Sequence, residues 1–409
     1  MFINKSILTK KIIFIFSNIF NTFPGFLFFG IRTTLFFGRI FDIDYAFRSI
    51  KRYRWLLMKP FYIKEFDSEP LESTIDDINT AQSIINEYQR ANSDLMLKTD
   101  SLWGEYNSIF TKEIKSLIKE NDKENLAAYL NSFFKKPSVI GFSTGNLYDF
   151  SPHRRKFVNL GIVENIVSLA EFLGIIRVET IEQGIPQTYL RNHDGVFTDE
   201  KLIHLLDSIK KELNIDISFP RVCGAFGVEI GSYFLTAHSL GHLYRAIRIN
   251  QFIKNNFDSP ITILEIGGGF GGLAYWLNIL DESKISQYYS ADLPMTNAHS
   301  SFFLYKTKTP HKTLCGKDID HLGKVDLVIN EDSFAEMPIE EVHRYLSYIT
   351  KNSLFFSSYN QEAYSPVNSI PQVSVTEEVA KYDKSMQCMS REKSWVRDGY
   401  IEQFFKIIR

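Results

Sequence analysis

Residues 261–294, ITILEIGGGFGGLAYWLNILDESKISQYYSADLP, constrain the fold more than any other stretch. The run 261–266 is apolar and β-branched, with Glu265 near its end, as in a strand buried on both faces of a parallel sheet. Gly267, Gly268, Gly269, Gly271 and Gly272 follow, interrupted only by Phe270. Glycine tolerates positive φ, and its missing Cβ lets a ligand approach the backbone. The spacing predicts a helix over 273–280, whose first N–H groups have no intrahelical partner. A second strand over 287–291 ends at Asp292.

A strand–glycine–helix unit with a distal acid is a nucleotide-site pattern. A dinucleotide site uses G-x-G-x-x-G, with phosphate on the helix N-terminus and an acid on the ribose. Here the spacing is Glu265-x-Gly267-x-Gly269-x-Gly271. This resembles motif I of class I S-adenosylmethionine (SAM) methyltransferases. The resemblance implies a cofactor without phosphates, its methionine part passing over the glycines and its ribose hydroxyls taken by Asp292. A dinucleotide site and an ordinary glycine-rich turn are the alternatives.

Composition narrows the class. A chain of 409 residues is long enough for two or three domains, and 44% hydrophobic with 23% charged residues is ordinary for a globular protein. A net charge of −2 argues against nucleic acid as a partner. Cys223, Cys315 and Cys388 are odd in number and far apart, with neither disulfide-framework nor zinc spacing. They fit a reducing, cytoplasmic compartment, and no metal is expected. The 35 Phe and 20 Tyr carry little functional weight, because an AT-rich coding bias enriches both.

The expected organisation is a leader over 1–66, a mainly helical cap or substrate domain over 67–235, and a Rossmann-like α/β domain over 236–409. Residues 12–31 lack charge, but Ser17, Asn18, Asn21, Thr22, Pro24 and Gly25 interrupt them. Residues 1–40 therefore read as a peripheral contact on the inner face of the membrane, a true span, or a leader with no membrane role. Ser73 and Asp76 form an expected capping box, with helices over about 75–88, 102–119, 123–134, 158–174 and 199–212. Gly224, Gly227 and Gly231 precede a helix over about 236–253, on which His238 and His242 share a face. These two are a weak metal pair, structural residues, or lining of the acceptor or SAM pocket.

Past Asp292 the pattern gives a helix over 295–305, a short strand and turn over 313–319, a strand over 325–329, a helix over 340–349 and a strand over 354–357. Closing strands follow in a tail carrying Arg391, Trp395, Arg397 and Tyr400. Open α/β sheets place active sites at the carboxyl ends of strands. Asn330, Glu331, Asp332, Ser333 and Glu336 fall at such an end.

The stretches LEIGGGFGGL (264–273), DLP (292–294), N-x-DSFAEMP (330–338) and NQE (360–362), with Arg391, Trp395 and Arg397, resemble the bacterial sugar O-methyltransferases associated with surface-polysaccharide genes. The similarity covers about 95–409 and includes Trp103 and 131–134. It implies SAM as cofactor and a sugar, nucleotide-sugar or glycan acceptor. In the class I pattern Asp318 would accept from the adenine amino group. A sugar hydroxyl needs a base as the O–C bond forms. Asp332 and Glu336 are the first candidates, His238 and His242 the alternatives, and Asn330 would position hydroxyls or the methionine part. Asp332 and Ser333 are equally suited to capping the next helix. Amine or lipid-linked acceptors, and a non-catalytic SAM-binding protein, are the competing functions.

Overall fold

A computed structural model describes residues 64–67, 72–92, 110–139, 152–176, 199–315, 318–361, 373–382, 384–397 and 399–408. All lie in one unit formed by 63–189 and 199–409. The apolar segment 1–40, Trp103 and Glu362 lie outside the described residues. No described helix is long and apolar enough to cross a membrane.

In chain order the elements are β1 (Lys64–Asp67), α1 (Ile75–Asn92), α2 (Lys112–Lys119), α3 (Lys123–Leu130), α4 (Pro152–Phe172) and α5 (Asp199–Leu213). Next come β2 (Phe226–Ile230), β3 (Tyr233–Leu235), α6 (Ser239–Asn256), β4 (Ile261–Ile266), α7 (Gly272–Asp281), β5 (Ile285–Asp292), α8 (Pro294–Lys306) and β6 (Lys312–Cys315). The chain closes with β7 (Leu327–Glu331), α9 (Ile339–Asn352), β8 (Phe355–Gln361), α10 (Val375–Ala380), β9 (Met386–Lys393) and β10 (Tyr400–Ile407).

The central sheet has seven strands in the order β6-β5-β4-β7-β8-β10-β9. The first five run parallel, and β10 pairs antiparallel with both β8 and β9. The chain moves outward from β4 through β5 to β6, then crosses to β7 on the other side. That reversal opens a crevice at the carboxyl ends of β4 and β7, where such sheets bind ligands. Leu264, Ile266, Val328, Phe356 and Phe405 pack on one face against Val342, Leu346 and Ile349 of α9 and Val375 and Val379 of α10. Each such apolar side chain contributes about 1.5–3 kcal/mol on burial.

Phenylalanines gather beneath the glycine turn. Phe219 stacks on Phe303 at 5.7 Å between ring centroids, and Phe270 meets Phe134 at 5.1 Å and Phe303 at 5.2 Å, edge on. Phe270, the one side chain inside the glycine run, is thus an anchor that ties the loop to helical segments before and after it.

Two local expectations are corrected. The capping box is Thr74 and Asp77, one residue later than Ser73 and Asp76. Thr74 N–H donates to Asp77 Oδ2 at 3.0 Å, and Asp77 N–H donates to Thr74 Oγ1 at 3.1 Å. The register is set by a distant partner, because buried Asp77 also pairs with Lys306 of α8 at 3.0 Å. The glycines before α6 belong to a hairpin rather than to a plain lead-in. β2 and β3 pair antiparallel, and β1 adds to β2 from a distant part of the chain. A Cβ at Gly227 would lie 2.0 Å from the Leu235 carbonyl oxygen, so the strands approach closely only with glycine there.

Candidate active site

The strand ends supply the site. Gly267 leaves β4 with φ of +79°, and its N–H continues the sheet by donating to Ala291 O at 2.8 Å. A Cβ at this position would meet Ser333 Oγ at 2.1 Å. Gly271 stands before α7 as a cap without a side chain, which leaves the first N–H groups of the helix facing the crevice.

Asp292 ends β5 and is tied to the glycine loop. Its Oδ2 accepts the Gly269 N–H at 2.9 Å and its Oδ1 the Leu293 N–H at 2.7 Å. Burial pushes its carboxyl up to about 6, against those backbone N–H groups. Glu265 lies under the loop, with Oε2 2.9 Å from where a Gly268 Cβ would be. That oxygen accepts the Tyr288 hydroxyl at 2.7 Å. Burial, helped by the Glu331 and Asp292 charges, raises Glu265 to about 8.

Asn330 sits at the end of β7 with its side chain spent on the sheet. Nδ2 donates to Ile266 O at 3.1 Å and to Ser333 Oγ at 2.6 Å, and Oδ1 accepts from Asn360 Nδ2 at 3.1 Å. The amide therefore locks β4, β7 and β8 together. Ser333 Oγ donates to Ile266 O at 3.0 Å, so this serine also closes the crevice floor.

Asp332 is the strained residue of the site. Its φ is +61°, a region that is uncommon for residues other than glycine. Its N–H is held by Tyr359 O at 2.8 Å. Its Oδ2 accepts from the Tyr400 hydroxyl at 2.7 Å and from Arg397 at 3.2 Å. The Arg397 guanidinium lies 3.7 Å from the Tyr400 ring centroid, and Gln361 donates to the Tyr400 oxygen at 2.9 Å. Three side chains from two other strands and a turn thus fix one carboxylate. Arg397 and Tyr400 are visible in the sequence, but no local signal assigns them to Asp332.

The remaining candidates are more peripheral. Glu336 is part-exposed and ends the short turn Phe334–Glu336. His238 is exposed at the N-cap of α6. His242 packs on Phe270 at 5.3 Å between rings, and its Nδ1 lies 2.4 Å from where a Gly272 Cβ would be. That nitrogen is buried and has no partner among the described residues. Burial, with His238 and Arg397 nearby, pushes the ring down to about 3, so it is neutral at ordinary pH. Asp318 is exposed past β6 and accepts the Cys315 N–H at 3.0 Å. Glu265, the glycines, Asp292, Asn330 and Asp332 therefore share the ends of adjacent strands, and Asp318 lies one strand further out.

A buried network unseen in the sequence supports this arrangement. Arg245 of α6 is fully buried, pairs with Glu402 of β10 at 3.2 Å, donates to Ser357 Oγ at 3.1 Å and stacks over Tyr359 at 4.4 Å. Glu402 also takes Arg248 at 2.9 Å and the Tyr244 hydroxyl. Among the described residues, no group of three or more His, Cys, Asp or Glu is placed to hold a metal ion.

The strand order and directions make the sheet an open, Rossmann-like α/β sheet. Among solved structures, similarity extends to magnesium protoporphyrin IX methyltransferase from Synechocystis PCC 6803 with bound SAH, at 13% identity over 42% of this chain and 84% of that chain, TM-score 0.34. It extends also to a SAM-dependent methyltransferase from Aquifex aeolicus, at 14% identity over 41% of this chain and 92% of that one, TM-score 0.33. A third is an S-adenosylmethionine-dependent methyltransferase from Clostridium acetobutylicum ATCC 824, at 12% identity, 41% and 91% coverage, and TM-score 0.33. No protein-family model and no curated protein matches the sequence.

Proposed function

We propose that this chain is a SAM-dependent O-methyltransferase whose acceptor is a sugar hydroxyl, in free, nucleotide-linked or glycan form. The observation that carries the cofactor reading is the charge around the glycine turn. Asp292 borders it, its Oδ2 on the Gly269 N–H at 2.9 Å, whereas Glu265 beneath the loop, raised to about 8 chiefly by burial, is protonated at neutral pH and adds no charge. A pyrophosphate would be repelled there, whereas a cationic sulfonium cofactor is attracted. The Asp292 carboxylate, at the end of β5, fits the ribose diol. A carboxylate accepts two hydroxyl hydrogen bonds at once. Asp318, past β6, is the candidate acceptor for the adenine amino group.

When bound, SAM supplies an electrophilic methyl group on sulfur. The chain must then orient the acceptor hydroxyl and remove its proton. Asp332 fits that task best. Among the described residues, both hydrogen bonds to its carboxylate go to Oδ2, which leaves Oδ1 for the hydroxyl proton. Arg397 and Tyr400 keep the carboxylate oriented. Glu336 lies just beyond on the same turn, while His242, neutral and wedged on Gly272, acts on the loop's position. The sugar acceptor rests on the resemblance of 330–338 and of the Arg391, Trp395 and Arg397 group.

Calorimetric titration with SAM and, in parallel, NADH tests the cofactor reading. Binding of SAM but not NADH is expected, and it should weaken strongly in Asp292→Ala. Methyl transfer from labelled SAM to a panel of sugars and nucleotide-sugars tests the acceptor. Asp332→Asn should lower kcat by about 10²–10⁴-fold while SAM affinity stays put. NADH binding without SAM binding would overturn the reading.

A further inference from the structure

The turn between β9 and β10 holds a large apolar side chain out to solvent. Trp395 is 46% exposed, yet the backbone around it is tightly fixed. Ser394 Oγ accepts the N–H groups of Val396 at 3.3 Å and Arg397 at 3.1 Å, and it shares a hydrogen bond with the Tyr359 hydroxyl at 2.8 Å. The Ser394 N–H donates to Tyr400 O at 2.9 Å, and the Trp395 N–H to the Tyr244 hydroxyl at 3.5 Å. The indole lies 6.1 Å from the Phe172 ring between centroids, tilted by 58°. Single exposed apolar side chains are common and need no role. A tryptophan on a turn fixed in this way differs, because little entropy is lost when a ligand settles on it.

The turn stands at the mouth of the crevice. Tyr400, the first residue of β10, pairs with Gln361, the last of β8, and the two strands are antiparallel. The residues before Tyr400 are therefore at the carboxyl ends of the parallel strands, where Asp332 follows β7. Arg397, two residues from Trp395, binds Asp332 Oδ2 at 3.2 Å and lies near His238 and His242 of α6. Among the described residues, its guanidinium spends only Nη2, on Asp332 and the Tyr400 hydroxyl, which leaves donors on Nη1 and Nε.

We propose that Trp395 is the platform on which the acceptor's sugar ring stacks while one of its hydroxyls meets Asp332. The inference rests on the sugar-acceptor reading above. A pyranose carries C–H groups on its faces and hydroxyls around its edge. The C–H hydrogens are slightly positive and suit the negative face of an aromatic ring, whereas the hydroxyls suit charged and polar groups. The rim of the crevice offers both surfaces together: an exposed indole and, two residues on, a guanidinium with unspent donors beside a carboxylate. Two residues of chain span at most about 7 Å, so one sugar ring can meet both side chains. A lipid chain would use the indole without the donors, and a small amine the carboxylate without the indole. The ligand class is therefore a cyclic sugar with a continuous C–H face, which an acyclic polyol lacks.

The test measures methyl transfer from labelled SAM by the full chain. Methyl glucoside, methyl galactoside, UDP-glucose and UDP-galactose serve as acceptors, with sorbitol as the acyclic control. Trp395→Ala, Trp395→Leu and Trp395→Phe are compared with the parent on whichever sugar it uses best. Leucine keeps bulk without a π face, and phenylalanine restores the face. The alanine and leucine variants should raise the acceptor KM by roughly ten- to a hundredfold with kcat little changed, because stacking holds ground state and transition state alike. The phenylalanine variant should recover most of that loss, and SAM affinity by calorimetry should match the parent in all three. An unchanged KM in Trp395→Ala, no better recovery by phenylalanine than by leucine, or a loss that SAM affinity shares would overturn the proposal. Methylation of sorbitol as readily as of the sugars would also overturn it. If the parent methylates no sugar at all, the acceptor reading itself falls and the platform with it, a result separate from any difference between variant and parent.

Discussion

Glu265→Gln should stabilise the protein at neutral pH. The folded carboxyl is raised from its ordinary 4.5 to about 8 by burial, with only 2% of the residue exposed. Between those values the folded chain holds a proton that the unfolded chain has released. Stability therefore falls as pH rises through this window, by about 1.4 kcal/mol per pH unit. Neutral pH lies about 2.5 units above the unfolded value, so the loss there is on the order of 3 kcal/mol. Glutamine has no proton to release, yet its carbonyl oxygen can still accept the Tyr288 hydroxyl. Urea unfolding of both proteins near pH 5 and pH 7 isolates the effect. The advantage of the variant should grow by about 2.5 kcal/mol between the two conditions, part of the loss being already present at pH 5. Glu331 and Asp292, raised to about 7 and about 6, slope in the same direction but occur in both proteins. If the variant differs from its parent by the same amount at both pH values, Glu265 does not carry a suppressed charge, and the argument is refuted.

The other expectations test the loop, the ribose acid and the buried pair. Gly267→Ala, at φ of +79° and against Ser333, should lower stability by about 2–4 kcal/mol in denaturant unfolding and abolish SAM binding. Because Asp292 must be ionised to accept two hydroxyls, SAM affinity should fall as pH drops below about 6, and a calorimetric pH series should show this limb vanish in Asp292→Asn. Arg245→Met leaves Glu402 with Arg248 and the Tyr244 hydroxyl but removes its fully buried partner, and should destabilise by about 3–5 kcal/mol in urea melts.

What could be read from the sequence follows the range of the interactions. β4 is legible because a short run of three isoleucines and a leucine ahead of a glycine cluster is a local signal, and its bounds, Ile261–Ile266, are those expected. The glycine turn and Asp292 lie 23 residues apart at Gly269, within one strand–helix–strand unit, so their meeting was legible too. Asp332 meets Arg397 and Tyr400 across 65 and 68 residues, through the antiparallel return of β10, which no local pattern reports. The β2–β3 hairpin was obscured because Gly227 serves a close strand approach rather than a loop. Asn330 reads in sequence as a ligand-facing amide, yet its hydrogen bonds tie three strands, a commitment that exists only once β4 and β8 flank it.

The crevice concentrates what the rest of the fold avoids. Elsewhere on the sheet, Leu264, Val328 and Phe356 build a dry apolar layer that needs no polar compensation. At the strand ends the chain instead keeps a left-handed aspartate, three carboxyls raised by burial and a histidine nitrogen with no partner among the described residues. Each of these opposes folding, and a fold retains them only where surrounding contacts over-determine the geometry. That support is identifiable. Tyr400, Arg397 and the Tyr359 carbonyl grip Asp332, and Arg245 with Glu402 seats α6 on β10 so that His242 meets Gly272. The strain and the bracing lie on different elements, which implies that the bracing can be weakened separately. Arg397→Lys keeps a positive charge but loses the flat guanidinium stacked on Tyr400. It should therefore loosen Asp332 and reduce turnover while leaving SAM affinity, set at β4 and β5, unchanged. Parallel loss of both in single-turnover and binding measurements would mean that the two halves of the crevice are not independent.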